Sequence, residues 1–221
     1  MLFILAGMLV KYILYFHIIT SILITSVNFL FTDYKNLYKY LIKEDGIIEY
    51  STAFFLLFSS IYLIYALNKN KNQYKFGLLL FSVAFFFGFG EEISWGQRIF
   101  DIESPFFFSE NNLQNETNIH NLMIAGIEFN KWIFTYFSVF IFSIYFGLLP
   151  FLYKKIIFFR ELFDKFSIII PRYEQSVIFL ISTILIYTTN YLRVSEIWEC
   201  LFAVTIFSTC INPLNKRVIY N

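Results

Sequence analysis

Long apolar runs separated by shorter polar connections dominate the chain. A membrane-spanning helix needs about 20 mostly apolar residues, and six runs come close to this requirement. They lie within residues 2–31 and at about 47–67, 76–100, 132–153, 177–191 and 197–211. The pattern therefore predicts an all-α fold, a polytopic membrane bundle of about six transmembrane helices that forms a single domain over residues 1–221.

Three connections between these runs carry information of their own. Residues 101–131 form a long polar loop, and a short polar turn at 190–195 joins the last two helices into a hairpin. Residues 154–172 mix basic side chains with Ile, Leu and Phe, which predicts an amphipathic segment lying on a membrane surface.

Composition agrees with a membrane protein. The chain is 58% hydrophobic and only 15% charged, whereas soluble domains average about 25% charged residues. The net charge of +1 lacks the basic excess typical of nucleic-acid binders, so no nucleic-acid partner is expected. Heavy use of Phe, Ile, Asn and Lys is typical of an AT-rich bacterial genome, and the expected location is the bacterial cytoplasmic membrane with the lipid bilayer as partner.

The positions of Lys and Arg predict the orientation, because cytoplasmic loops are enriched in both. Basic residues outnumber acidic ones in segments 68–75, 154–175 and 216–217. With six helices these segments fall on one side, which predicts cytoplasmic N and C termini. The loop 101–131 is then the outer polar loop, and 154–172 lies on the inner leaflet.

Carboxylates concentrate at the outer ends of three predicted helices. Ionised groups near a membrane core are costly unless they are paired, bound to metal or facing water. The second helix begins with Asp45 and Glu49, the third carries Glu91 and Glu92 toward its outer end, and the sixth begins with Glu196 and Glu199. Their common depth predicts a polar site at the outer face.

Helical spacing predicts how some of these charges pair. Glu91, Ser94 and Arg98 share one helix face with Trp95 beside them, so Arg98 is expected to neutralise Glu91 and leave Glu92 free. Arg193 is one turn before Glu196 and is expected to pair with it. The alternative for Asp45 and Glu49 is capping of a helix start, where negative charge is favoured.

His120 is the candidate base at the far end of the outer loop. Asn118 and Asn121 flank it and could fix its tautomer, although a helix-capping histidine would look the same. Glu92 is its predicted acid/base partner. A divalent metal held by Glu92, His120, Glu196 and Glu199 is left open, and such an oxygen-rich set suits Mn, Mg, Fe or Ca better than structural zinc.

Three motifs resemble a group of uncharacterised bacterial multi-pass membrane proteins. They are EDGIIEY at 44–50, EEISWGQR at 91–98 and ETNIHN at 116–121, and they cover about helices two to four. The resemblance implies a multi-pass membrane fold and no particular function. A more distant similarity is to the intramembrane proteases that process prenylated proteins and to the alkaline ceramidase superfamily. Arg98 follows the paired Glu at a wider spacing than in those proteases, and the His content differs from both.

Two hypotheses for function follow. In the first, the chain is a hydrolase or transferase that acts at the outer face on a lipid or lipid-linked substrate. Its candidate catalytic residues are Glu92, His120, Glu91 and Arg98, with supporting roles for Asp45, Glu49, Ser94, Trp95, Gln97, Asn118, Asn121 and Arg193. In the second, it is a small transporter or a complex subunit, and the same Glu, Arg and His network serves helix packing or proton relay.

Overall fold

The structure is a computed structural model, and it describes residues 15–16, 18–23, 26, 39–43, 45–188 and 193–220. Most of the predicted first helix (2–31), Glu44, and residues 189–192 of the predicted turn lie outside these residues. The regular secondary structure of the described part is helical apart from one small β-hairpin.

The first half contains two long helices followed by short elements. They are α1 (Ile47–Lys69), α2 (Phe76–Glu92), a 3-10 turn (Ser94–Gly96), α3 (Gln97–Phe100) and α4 (Phe106–Asn111). Strands β1 (Met123–Ile124) and β2 (Ile127–Glu128) then form the antiparallel hairpin, in which Met123 is opposite Glu128.

The second half consists of consecutive helices. A π-helical segment (Asn130–Phe137) continues into α5 (Ser138–Gly147) and α6 (Leu149–Lys155). These are followed by α7 (Ile157–Lys165), α8 (Tyr173–Tyr187), α9 (Val194–Ile211) and α10 (Lys216–Ile219). The predicted amphipathic segment 154–172 is therefore helical only in part, because residues 168–172 have no regular secondary structure.

Within the described ranges, three helices are long and apolar enough to cross a membrane: α1, the continuous stretch Asn130–Lys155, and α9. The segments Phe76–Glu92 and Ser94–Phe100 would add a fourth span if taken together, although they are bent by 61°. Helix α8 is apolar but shorter. Three to four candidate spans indicate an integral membrane protein, and the larger number of six stays a prediction.

The predicted continuous helix 76–100 is wrong, because the helix breaks after Glu92. Ser94, Trp95 and Gly96 have φ angles of 47°, 53° and 83°, all in the left-handed region that a right-handed helix cannot include. Residues on either side of the break therefore do not share the helix face that their spacing predicts.

Helix α9 lies at the centre of the bundle. Buried residues make up 67% of its apolar window, compared with 39% for α1 and 11% for Asn130–Lys155. It packs on α1 and α8, and Trp198 and Phe202 on α9 are stacked with ring centroids 5.8 Å apart. Helices α1 and α2 are joined by a buried hydrogen bond of 2.8 Å from Ser60 Oγ to the Ser82 carbonyl.

The three basic segments meet at one end of the bundle, which we call the tail end. Asn70 Nδ2 donates to the carbonyls of Val218 and Ile219, each at 2.9 Å. Asn72 Nδ2 donates to the carbonyl of Asp164 at 2.8 Å. The structure thus brings together segments that the charge pattern assigns to one side of the membrane.

Close backbone packing at the start of α2 generates a prediction. A Cβ added to Gly77 would lie 2.7 Å from the Ser167 carbonyl oxygen and 2.8 Å from Ile168 Cα. We expect Gly77→Ala to lower the free energy of unfolding by about 1–3 kcal/mol, because backbone atoms cannot move aside cheaply. Thermal unfolding in detergent measures the effect. Gly147→Ala is the control, since its nearest atom would be 3.8 Å away, and equal unfolding midpoints for both variants would contradict the prediction.

Candidate functional site

The bend after α2 folds Trp95 back onto the helix that precedes it. A Cβ on Gly90 would lie 2.8 Å from three atoms of the Trp95 ring, so only glycine allows this approach. The ring also makes an edge contact with Phe87, with centroids 5.6 Å apart. Trp95 Nε1 then donates to Glu91 Oε1 at 2.9 Å.

Glu91 connects the end of α2 to the outer loop. Its side chain is buried, and its Oε2 accepts hydrogen bonds from the backbone N–H groups of Ile119 at 2.7 Å and His120 at 3.0 Å. Together with Trp95, these donors stabilise the carboxylate in a place that water does not reach. His120 Nδ1 lies 3.8 Å from the same Oε2, so Glu91 faces one side of the His120 ring.

Arg98 forms a clamp with carboxylates from two other parts of the chain. Its Nη2 donates to Glu49 Oε1 at 2.6 Å, and its Nη1 donates to Glu116 Oε1 at 2.7 Å. Its Nε lies 3.4 Å from Asp45 Oδ1. The predicted neutralisation of Glu91 by Arg98 is therefore wrong, because the break after Glu92 directs Arg98 toward the start of α1 and the loop.

Glu49 also lies in the first turn of α1, where no side chain of the described residues caps the N-cap residue Gly46. Its Oε2 accepts the backbone N–H of Asp45 at 2.8 Å, while Asp45 Oδ1 accepts the Tyr50 hydroxyl at 3.1 Å. Glu49 thus combines a hydrogen bond to the segment before α1 with its ion pair to Arg98.

Glu116 is the partner that the sequence prediction missed. It is buried and accepts hydrogen bonds from Ser94 Oγ at 2.8 Å and Asn118 Nδ2 at 2.6 Å. Asn121 Nδ2 donates to Gln114 Oε1 at 2.5 Å. The hydrogen bonds of both Asn side chains thus hold the loop together, whereas Glu91 faces His120. The signal for Glu116 was its place in the motif at 116–121.

Gln97 adds another connection between the bend and the loop. Its Oε1 accepts the backbone N–H of Thr117 at 2.7 Å, and its Nε2 donates to the Asn115 carbonyl at 3.4 Å. The supporting residues predicted around the bend are thus engaged with the loop.

A polar cavity of about 390 Å³ brings together carboxylates from α1, α2 and α9. It is lined by Glu49, Glu92, Gln114, His120, Asn121, Asn130, Arg193, Ser195, Glu196 and Glu199. The convergence of the three helix ends with His120 is thus present in the structure. The predicted pair of Arg193 with Glu196 is confirmed, with Nη2 to Oε1 at 3.2 Å.

An apolar cavity of about 200 Å³ adjoins the polar one. Its wall includes Leu56, Phe85, Phe87, Phe134, Phe142 and Phe202. Glu92, His120 and Glu199 line both cavities. These three side chains therefore mark the boundary between a polar and an apolar compartment.

Glu92 and Glu199 differ from the other acidic residues of the site. Glu49, Glu91, Glu116 and Glu196 each accept a hydrogen bond or form an ion pair. Within the described part of the chain, the carboxylates of Glu92 and Glu199 do neither. Both are therefore available to a molecule that enters the cavities.

The geometry gives little support to the metal that the sequence left open. Among the described residues, no group of three or more His, Cys, Asp or Glu side chains is arranged to hold a metal ion. Glu92, His120, Glu196 and Glu199 share a cavity wall without forming a compact set of ligands.

Comparison with known proteins adds no relative, since no family model, curated protein or solved structure matches this chain. The arrangement of the site is therefore the basis for a proposal about function.

The Arg98 clamp generates a prediction about stability. The Arg98 side chain is only 17% exposed, so removing it leaves buried carboxylates uncompensated. We expect Arg98→Met to lower the free energy of unfolding by about 3–5 kcal/mol, measured by thermal or denaturant unfolding in detergent. Glu174→Gln is the control, because it breaks an ion pair whose side chains are 36% exposed for Arg172 and 48% exposed for Glu174. The loss of such an exposed pair should cost less than about 1 kcal/mol. Similar losses in the two variants would argue against the clamp.

Proposed function

We propose that this chain is an integral membrane enzyme that acts on a lipid or lipid-linked substrate by hydrolysis or group transfer. The observation that carries the proposal is the meeting of a polar and an apolar cavity at Glu92, His120 and Glu199. A molecule with a polar group and a hydrocarbon chain matches such a pair of compartments. Its reactive bond, next to the polar group, would lie beside these three side chains.

In the proposed reaction His120 and Glu92 form the acid/base pair. Glu91 faces Nδ1 of His120 and holds the backbone N–H of the same residue, which leaves Nε2 for a reacting group. The Glu92 carboxylate takes a proton from the attacking water or acceptor hydroxyl, and the oxygen forms a bond to the electrophilic centre of the substrate. His120, whose Nδ1 faces the Glu91 carboxylate, then delivers a proton from Nε2 to the leaving group as its bond breaks. Glu91 acts as a positioning residue, in the way that carboxylates orient histidines in many sites.

The proposed setting is the bacterial cytoplasmic membrane, with both termini cytoplasmic and the site at the outer face. The meeting of the three basic segments at the tail end supports this orientation, because basic loops are retained on the cytoplasmic side. The cavities lie near the starts of α1 and α9 and the end of α2, which are the helix ends far from the tail end.

A second candidate is a non-catalytic membrane protein, either a small transporter or a complex subunit. The observation that favours it is the bonding around Glu116, whose carboxylate accepts hydrogen bonds from Arg98, Ser94 and Asn118, as in networks that serve packing. The two unpaired carboxylates would then relay protons. The candidates differ in whether Glu92 and His120 are needed for chemical turnover.

The enzyme proposal predicts loss of turnover in Glu92→Gln and in His120→Ala. Removing a general acid or base should slow the reaction by about 10²- to 10⁴-fold while the protein still folds. The purified protein in nanodiscs is incubated with a bacterial lipid extract, and mass spectrometry follows the lipid species that appear or disappear. Glu110→Gln, in the exposed part of the loop, is the matched control with one carboxylate removed. Full turnover in both site variants would sink the proposal, and altered proton flux without turnover would favour the second candidate.

The positioning role of Glu91 gives a separate prediction. Glu91 accepts hydrogen bonds at both carboxylate oxygens, but the amide of Glu91→Gln has only one acceptor oxygen. Its N–H₂ group would face another N–H donor, either on Trp95 or on the backbone of Ile119 and His120, so the contact that positions His120 is weakened. We expect kcat to fall about 10- to 100-fold with little change in KM, measured with the lipid that the preceding experiment identifies. Glu91→Asp should recover part of the rate because the carboxylate is retained. A change confined to KM, or no recovery by Asp, would count against positioning.

A further inference from the structure

The charges on the wall of the polar cavity do not balance. Among the described residues, four carboxylates line it, together with a single Arg side chain. Glu196 is paired with Arg193 inside the cavity, and Glu49 is paired with Arg98 behind its wall. Glu92 and Glu199 remain, and no basic side chain among the described residues forms an ion pair with either. The cavity therefore has two carboxylates for which the described residues supply no partner.

These two carboxylates are placed where the compartments meet. Glu92 comes from the last turn of α2 and Glu199 from the second turn of α9, and both also line the apolar cavity. Charge at the edge of an apolar space is costly unless a counter-charge or water compensates it. A ligand with a positive group attached directly to a hydrocarbon chain would supply that counter-charge at the right depth.

We infer that the substrate is an amine-bearing amphiphile, with its protonated amine between Glu92 and Glu199 and its chain along Phe85, Phe142 and Phe202. The inference rests on the proposed function, because it assumes that the two cavities hold one lipid-like molecule. Primary amines are protonated at neutral pH, and an ammonium group donates hydrogen bonds to carboxylates. An anionic group such as a phosphate would instead meet like charge.

Three probes with the same chain and different polar groups test the inference: dodecylamine, dodecanol and dodecyl phosphate. The purified protein in a neutral detergent is titrated with each probe by isothermal titration calorimetry. Dodecylamine is expected to bind at least about tenfold more tightly than the other two, because a charge-assisted pair contributes more than a neutral contact. The double variant Glu92→Gln with Glu199→Gln should lose this preference.

The matched control is the double variant Glu103→Gln with Glu110→Gln, which removes the same charge from exposed loop positions and should keep the preference for the amine. The thermal unfolding midpoint of each variant shows that it is folded. Tighter binding of dodecanol or dodecyl phosphate, amine binding unchanged in the Glu92 and Glu199 double variant, or no specific binding of any probe would overturn the inference. Binding of dodecyl phosphate only with added Mg²⁺ would also overturn it, and would assign the carboxylates to a divalent cation.

Failure here is distinguishable from failure of the proposed function. If Glu92→Gln and His120→Ala abolish lipid turnover while dodecyl phosphate binds best, the enzyme stands and only the amine is excluded. If the amine binds as expected but the site variants turn over lipid normally, the acid/base roles fall while the binding inference stands.

Discussion

The site depends on Arg98, which forms hydrogen-bonded ion pairs with carboxylates from distant parts of the chain. Its guanidinium donates to Glu49 at the start of α1 and to Glu116 in the outer loop, while Nη2 also donates to the Glu92 carbonyl at 2.9 Å. A guanidinium has five donors in a rigid planar arrangement, so one side chain can fix three segments at once. A Lys at the same position would offer a point charge and could not reproduce this geometry. The loop that carries His120 is thus tied to two membrane helices through a single cation.

The acidic residues of the site divide into two groups by what they contact. Glu49, Glu91, Glu116 and Glu196 are each held by donors of the protein, so their charge is compensated by the fold. Glu92 and Glu199 line the cavities and have no such donor among the described residues. Compensated carboxylates make the frame rigid, whereas uncompensated ones are useful only to a ligand, a proton or water. The division explains how one small bundle can hold many carboxylates near an apolar interior without all of them being structural.

Hydrophobicity predicted the long helices well because membrane insertion imposes length and polarity on each span. The predicted helices 47–67 and 197–211 correspond to α1 and α9 with shifts of a few residues. The break at Ser94–Gly96 was not predicted, since no proline marks it and the left-handed conformation of Ser94 and Trp95 is disfavoured locally. Two kinds of contact hold it: the local packing of Trp95 on Gly90, and the hydrogen bonds of Glu91 with the distant backbone of Ile119 and His120.

The sequence predicted where the candidate site lies, but it did not predict all of the ion pairs within it. Counting helix ends brought Glu49, Glu92 and Glu199 to one depth, and the structure brings them to one cavity. Pair assignment from spacing worked for Arg193 and Glu196, which lie at the N-cap and in the first turn of α9. It failed for Arg98 because the assumed helix is broken. Glu116 was missed because nothing in the spacing of a loop residue indicates which helix it meets.

The candidate span with the smallest buried share lines the apolar cavity. The stretch Asn130–Lys155 has only 11% of its apolar window buried, yet it contributes Phe134, Ser138 and Phe142 to the apolar cavity. One wall of that cavity is thus a helix whose apolar residues are mostly not buried by the rest of the protein. The stretch begins with a π-helical segment, a geometry that is often found at functional sites. An apolar cavity lined by such a helix supports the proposed membrane-borne substrate over one that arrives from water.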